Sequence, residues 1–183
     1  MTTFTRIGDS GALAGEATDI TVEDLGFYSL TAVRTGSGDL KLINWSTGSP
    51  GPVTRDSDSD NQAGAVSAIS VTRNRNRTVT AVRDGSGDLL LISWDDGNGS
   101  GPITRLKDTH GHAGAASIVT IVPGPAKTAA DLVTAVRAGN GSLKLISWAL
   151  DGATGVITRL GDSDDQAGEV ASSQYRSRRR TLC

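Results

Sequence analysis

The side chains with the most obvious chemical potential in this 183-residue chain are its tryptophans, which all occupy one position of a repeated pattern. They are Trp45, Trp94 and Trp148. An indole offers a flat apolar face on which a sugar ring can stack, while its N–H still finds a polar partner. The same position can instead hold a large side chain wedged between neighbouring sheets. The pattern leaves both interpretations open, a glycan-binding platform and a packing residue.

Charged side chains recur in step with the tryptophans. An arginine stands eleven residues before each tryptophan, and two of the copies carry an aspartate between them; these residues are Arg34, Arg83, Arg137, Asp39 and Asp88. A guanidinium fork can clamp the vicinal hydroxyls of a sugar, and a nearby carboxylate can accept hydrogen bonds from them. Alternatively, each arginine pairs with an aspartate of a turn or with backbone carbonyls of the adjacent unit. This structural pairing is the favoured interpretation for a second set, namely Arg6, Arg55, Arg105 and Arg159.

Aspartates are the main candidates for a metal site, since the two histidines fall on one loop that we interpret as solvated. One repeated position, which we expect to accept hydrogen bonds from backbone N–H groups of a turn, is occupied by Asp9, Asp58, Asp108 and Asp162. In one copy Asp56, Asp58 and Asp60 alternate, a spacing found in calcium loops. An EF-hand-type loop requires a glycine at its sixth position and a distal glutamate, whereas Asn61 and Gln62 follow here. The prediction is therefore no cofactor, with calcium at these three aspartates as the alternative.

Catalytic constellations are scarce in the sequence. No Gly-x-Ser-x-Gly motif occurs, and the two histidines, His110 and His112, flank one glycine in what we interpret as a solvated loop. A carboxylate pair across a central channel could hydrolyse glycosides, but sequence does not give the separation that this chemistry requires. A non-catalytic protein is favoured, and a hydrolase with a channel site, assisted by a metal, is an alternative.

The elements that must position these residues follow from an internal repeat. Three markers recur in one order, Thr-Arg-x-x-Asp, Ala-Gly and Thr-Ala-Val-Arg, and the first two recur at steps of 49, 50 and 54 residues. In the middle copy, short apolar segments separated by glycine-rich turns predict four strands. These strands are 66–71, 79–83, 89–94 and 102–105.

Apolar residues on both faces of these strands predict the architecture. In the first strand of the middle copy, Val66 and Ala68 are placed on one face, and Ile69 and Val71 on the other. A repeated four-stranded antiparallel sheet that is covered on both faces is typical of a β-propeller blade, whereas a sandwich exposes one polar face of each sheet. The prediction is an all-β chain of three four-stranded blades in residues 1–175. The repeats span about 5–53, 54–103 and 104–157, with a partial fourth at 158–175.

Three blades do not close a propeller, because closed rings have about four to eight. Two apolar blade faces would remain open, and such faces seek a partner. We therefore predict a homodimer that completes a six-bladed ring, with an orphan fourth strand at Thr5-Arg6 and an orphan first strand at 167–172 involved in the junction. The alternative is a fragment of a longer propeller. It is supported by the abrupt loss of repeat character after residue 171.

Composition excludes several classes of partner. The net charge is −2, and it falls to −6 without the four arginines of the C-terminal region, so the body lacks the basic stripe of a nucleic-acid-binding protein. We interpret the Arg-rich residues 176–183 as a disordered tail. No stretch approaches the ~18 apolar residues of a membrane span. The first six residues lack the order of a signal peptide, so the sequence as written predicts a cytoplasmic protein.

The strand-two arginines, the glycine-rich hairpins and the tryptophans that end the third strands give the pattern a resemblance to bacterial and fungal β-propeller lectins, including fucose-binding lectins assembled as six-bladed rings from short chains. The resemblance implies multivalent glycan binding between blades. Those lectins also carry a glutamate on the third strand, where this chain has Lys41, Leu90 and Lys144. The resemblance therefore implies the class of function and not the sugar. A non-catalytic structural or protein-interaction module remains the alternative.

Overall fold

The computed structural model describes residues 8–48, 51–110, 114–164 and 168–169, which form three antiparallel sheets of four strands. Sheet 1 contains β1 (Ala17–Asp24), β2 (Ser29–Thr35), β3 (Leu40–Thr47) and β4 (Val53–Asp58). Sheet 2 contains β5 (Val66–Asn74), β6 (Arg77–Asp84), β7 (Leu89–Asp95) and β8 (Thr104–Asp108). Sheet 3 contains β9 (Ala116–Pro123), β10 (Leu132–Ala138), β11 (Leu143–Leu150) and β12 (Ile157–Asp162). The predicted all-β chain of three four-stranded units is confirmed.

Other predicted elements fall outside this description. The orphan strand at Thr5-Arg6, His112, the Arg-rich tail and all of the orphan first strand except residues 168 and 169 lie outside the described residues. Within them, the one helical element is a 3₁₀ turn at Gly97–Gly99. The described part of the chain has no helix with the length and apolar character that crossing a membrane requires.

The hairpins between second and third strands depend on glycine. Gly38, Gly87 and Gly141 have φ angles of 94°, 95° and 90°, a region that side chains with a Cβ rarely adopt. A Cβ at Gly87 would also lie only 3.0 Å from the guanidinium of Arg83. The glycine therefore provides both the turn geometry and the space for the strand-two arginine.

Each sheet has two apolar faces, which we name after their residues. The leucine face of sheet 1 comprises Leu30, Ala32, Leu40 and Leu42, and that of sheet 2 comprises Val79, Ala81, Leu89 and Leu91. The tryptophan face of sheet 2 includes Val71, Val82, Ile92 and Trp94, and that of sheet 3 includes Ile121, Val136, Ile146 and Trp148. Each leucine face packs on the tryptophan face of the following sheet. The first strands β1, β5 and β9 consequently lie side by side, an arrangement compatible with propeller blades.

One detail of the predicted faces is wrong. Val66 lies in the same apolar cluster as Ile69 and Val71, whereas Ala68 packs against the opposite cluster. The register of β5 on β6 shifts between Val66 and Ala68, as expected for a β-bulge. Because the extra residue breaks the alternation, counting by twos assigns Val66 to the wrong face.

Candidate functional site

The tryptophans occupy the contacts between sheets. Trp94 and Trp148 are completely buried, and the indole N–H of each donates to a threonine hydroxyl of the second strand, Thr80 and Thr134, at 3.0 Å. Trp45 makes the same bond to Thr31 at 2.8 Å, but its face borders an open groove. The buried rings of sheets 2 and 3 offer no surface to a sugar. Glycan binding by this chain stays a prediction, and these two side chains act as packing residues.

The strand-two arginines tie one sheet to the next. Arg34 Nε donates to the carbonyl of Val66 at 2.7 Å, and Arg83 Nε donates to the carbonyl of Ala116 at 2.8 Å. Each of the three arginines also reaches a hydroxyl on the first strand of its own sheet, and the acceptors are Thr18, Ser67 and Ser117. Both carbonyls belong to the following sheet. This is the structural alternative that the sequence left open for Arg34 and Arg83.

The structure separates the candidate binding residues of each sheet. Asp39 and Asp88 lie in the turns before the third strands, close to the arginines, and their backbones pair with Ala65 and Ala115. The tryptophan stands at the other end of the third strand, about 20 Å away at roughly 3.3 Å per residue. Within one sheet, therefore, the arginine and the aspartate lie at the same end of the third strand and the tryptophan lies at the other.

The repeated aspartates after the fourth strands cap their own turns. Asp58, Asp108 and Asp162 accept the N–H of the residue two positions later, at 2.7, 3.1 and 2.7 Å, and each pairs with the arginine three positions earlier. Burial raises the pKa of Asp108, but the N–H of His110 and the Arg105 guanidinium outweigh it and lower that pKa below 3.8. The predicted turn-capping role is confirmed for these residues.

The three alternating aspartates do not converge. Asp58 pairs with Arg55 and lies 3.7 Å from the Lys41 ammonium, while Asp56 accepts a hydrogen bond from Ser46 at 3.0 Å. Asp60 is exposed in the turn. Among the described residues, no three His, Cys, Asp or Glu side chains are grouped so as to hold a metal ion. The contacts on these aspartates are those of ion pairs and turns.

Sequence analysis did not find a buried polar cluster between sheets 1 and 2. Asp96 accepts a hydrogen bond from Thr78 at 2.8 Å and lies 3.4 Å from Arg73 Nε. The Arg73 guanidinium lies 5.8 Å from the centre of the Tyr28 ring. Burial, and then the Asp96 charge, raise the pKa of Tyr28 to about 12. None of these residues recurs in the repeat, so no sequence signal marked them.

A second polar cluster joins sheets 2 and 3. Arg75 Nε donates to Asp131 Oδ1 at 2.5 Å, and the N–H of Leu150 donates to Asp131 Oδ2 at 2.8 Å. Burial raises the pKa of Asp131, but these two donors outweigh it, and the pKa lies below 3.8. The ionised carboxylate therefore stabilises the fold above about pH 4, and the stabilisation is lost as the pH falls through the folded-state pKa.

We expect Asp131→Asn to reduce this acid sensitivity. At pH 7 the variant should lose about 1 kcal/mol of unfolding free energy, because its partner Arg75 is largely exposed and screened by solvent. Between about pH 5 and pH 3 the difference from wild type should shrink. Urea denaturation at several pH values measures it, and Arg75→Gln should reproduce part of the effect. Parallel pH profiles for wild type and Asp131→Asn would contradict the assignment.

The two ends of the stack expose the residues that its middle buries. Leu145 of sheet 3 is 45% exposed, whereas its repeat equivalents Leu42 and Leu91 are fully buried. At the other end, Ile20 and Val22 of β1 are 62% and 63% exposed, and the residue equivalent to Val22 in sheet 2, Val71, is 5% exposed. The leucine face of sheet 3 is thus an open apolar surface. The tryptophan face of sheet 1 is open along β1 and is covered near Trp45, where Ala14 packs. These two faces form the candidate functional site.

Comparison of the chain with models of known protein families gives no match, and comparison with curated proteins gives none either. What the chain does must therefore be inferred from the contacts of its own residues.

Proposed function

We propose that this protein is a non-catalytic binding module that works as a homodimer, in which two stacks of three sheets complete a six-bladed propeller ring. One observation carries the proposal. The leucine face of sheet 3 and the tryptophan face of sheet 1, which have no neighbouring sheet in the chain, are repeat equivalents of surfaces that already pack together twice within each chain. The contact between copies therefore has two precedents of known geometry.

A second copy is the occupant that fits both ends at once. Each chain leaves one leucine face and one tryptophan face without a partner sheet, so a two-fold axis makes both junctions simultaneously and leaves no face unpaired. Six blades lie within the range of about four to eight that closed propellers have. Covering side chains such as Ile20, Val22 and Leu145 removes apolar surface from water, and this supplies the driving force.

The roles of the ionisable groups support a non-catalytic module. The aspartates of the turns are paired with arginines or with backbone N–H groups, and the pKa values of Asp84, Asp108, Asp131, Asp151 and Asp162 all lie below the ordinary value. A general acid or base works best with a pKa near the operating pH. These carboxylates are charged partners in turns and junctions, and the hydrolase alternative finds no support in them.

Glycans are the ligand class that the sequence resemblance suggests. A six-bladed ring would present any weak surface site several times, and repetition converts modest affinities into avidity. Because Trp94 and Trp148 are buried, such a site would have to use other side chains.

The solution mass tests the homodimer. We expect sedimentation equilibrium to give twice the chain mass of 18.8 kDa, with dissociation on dilution. The full chain should be used, because the residues at both ends of the stack form the junction. A folded species that remains at the mass of one chain at every concentration would contradict the proposal.

A further inference from the structure

The three-sheet stack carries a copy of the same linker at each end. We use linker for the segment that leaves a fourth strand and leads towards the next first strand. Residues 8–16, the N-terminal linker, and residues 161–169, the C-terminal linker, share six of nine residues, Gly-Asp-Ser and Ala-Gly-Glu. Inside the stack each junction between sheets has one linker. A junction between two copies would bring together two linkers, the C-terminal linker of one copy and the N-terminal linker of the other.

An inner linker bonds to the sheets on both of its sides. In the linker between sheets 1 and 2, Ser59 donates its N–H to the carbonyl of Leu42 at 3.0 Å, and its hydroxyl accepts the N–H of Leu42 at 2.9 Å. On the other side, Arg105 of sheet 2 donates to the carbonyl of Gln62 at 2.8 Å. The Gln62 side chain adds two bonds, to the carbonyl of Ile103 and from the N–H of Arg105.

The C-terminal linker makes the first half of these contacts. Ser163 donates its N–H to the carbonyl of Leu145 at 2.9 Å, and its hydroxyl accepts the N–H of Leu145 at 3.0 Å. The N–H of Leu143 donates to the carbonyl of Gly168 at 3.0 Å. The described parts of this linker, 161–164 and 168–169, are therefore fixed to sheet 3 as the inner linkers are fixed to sheets 1 and 2.

The N-terminal linker makes the second half. Arg55 of sheet 1 donates to the carbonyl of Leu13 at 2.8 Å, as Arg105 does to Gln62, and Ala14 packs on the cluster of Val33, Ile43 and Trp45. Leu13 replaces the glutamine and is 49% exposed. Its side chain has no polar group with which to make the two additional bonds of Gln62. By sequence the C-terminal linker keeps the glutamine, as Gln166, which lies outside the described residues.

We propose that the groove formed by Arg55, Val33, Ile43 and Trp45 is the docking site for the C-terminal linker of a second copy, and that the chain's own N-terminal linker occupies this groove until it is displaced. The inference rests on the proposed homodimer. It states that the C-terminal linker, and not the N-terminal linker, lies in each junction between copies. The C-terminal linker stays because its described residues make three hydrogen bonds to sheet 3 and its sequence keeps the glutamine. The N-terminal linker, whose described contacts include the Arg55 bond and the packing of Ala14, has Leu13 in place of that glutamine. The N-terminal linker thus competes with dimerisation.

Two variants of the full chain with opposite expected effects test the competition. Ala14→Glu places a charge against Trp45 and weakens the N-terminal linker, so the dimer dissociation constant should fall at least threefold. Leu13→Gln introduces the side chain that bonds twice in the inner linker, so the dissociation constant should rise at least threefold. Ala12→Glu, at an exposed position of the same segment, adds the same charge and should change nothing. Sedimentation velocity over a dilution series measures all four proteins.

The outcomes separate this inference from the homodimer itself. A wild-type dimer whose dissociation constant moves in the reverse directions would mean that the junction keeps the N-terminal linker, and this inference would be overturned. No difference among the variants would overturn it equally. If wild type and Ala14→Glu are both folded monomers at every concentration, the homodimer and the docking site both fall.

Discussion

Leu145→Glu is expected to convert the homodimer into a monomer that remains folded. Leu145 is 45% exposed in the single chain, so the glutamate reaches water there, but in the ring it would be enclosed against Ile20 and Val22 of the partner sheet. About 2 kcal/mol is a typical loss for an apolar anchor at the centre of an interface. Each ring contains two such junctions, so the loss of about 4 kcal/mol raises the dissociation constant close to a thousandfold.

The control for this substitution is Phe27→Glu. Phe27 is 99% exposed between β1 and β2 and belongs to none of the apolar clusters, so Phe27→Glu adds the same charge outside the residues that we expect in the junction. Sedimentation equilibrium should give the dimer mass for Phe27→Glu and the monomer mass for Leu145→Glu, and thermal unfolding should be cooperative for both proteins. A Leu145→Glu protein that dimerises as tightly as wild type would show that the leucine face of sheet 3 is not in the contact.

Repetition made the strands of this chain predictable. The second strand of sheet 2 is predicted at 79–83 and observed at Arg77–Asp84. Its end could be predicted because the hairpin that follows the second strand contains a glycine in every copy, and this glycine has a positive φ. The recurring glycines also located the hairpin turns against which the strand-two arginines lie. A feature that recurs three times is visible without any structure, since chance does not repeat it at one spacing.

The face of Val66 could not be predicted in this way. Alternation assumes a period of two, and a bulge inserts one residue that no local composition announces. A related ambiguity affected the tryptophans. Identical packing sites demand identical residues as strongly as identical binding sites do, and only the burial of Trp94 and Trp148 distinguishes the two roles.

The polar contacts between sheets were missed because they differ from junction to junction. Tyr28, Arg77 and Asp131 stand at one position of the repeat, yet Tyr28 lies beside Arg73, Arg77 donates to the carbonyl of Gly152, and Asp131 pairs with Arg75. The apolar residues that every junction needs recur, whereas the polar ones vary with their neighbours. Because the polar contacts differ, each pair of sheets has a set of hydrogen bonds and ion pairs that another pair would not reproduce, and this helps to determine the order in which the sheets pack.

Trp94→Ala is expected to remove about 3–5 kcal/mol of unfolding free energy. The indole is fully buried between sheets 1 and 2, where Leu42, Val71, Val82 and Ile103 belong to the same cluster, and a methyl group leaves a cavity there. Total stabilities of about 5–15 kcal/mol are usual, so this loss brings the chain close to unfolding. Urea denaturation measures it at one fixed protein concentration, because association shifts apparent stability.

Two further variants separate packing from hydrogen bonding and from ligand binding. Thr80→Val leaves the ring in place and removes only the acceptor of its N–H, which should cost about 1–3 kcal/mol because the buried donor loses its partner. Trp45→Ala should cost less than Trp94→Ala in the monomer, since the Trp45 ring borders an open groove. If the unfolding free energy of Trp94→Ala instead lies within about 1 kcal/mol of wild type, Trp94 is not a packing residue. The interpretation of the indole as a glycan-binding platform would then be favoured.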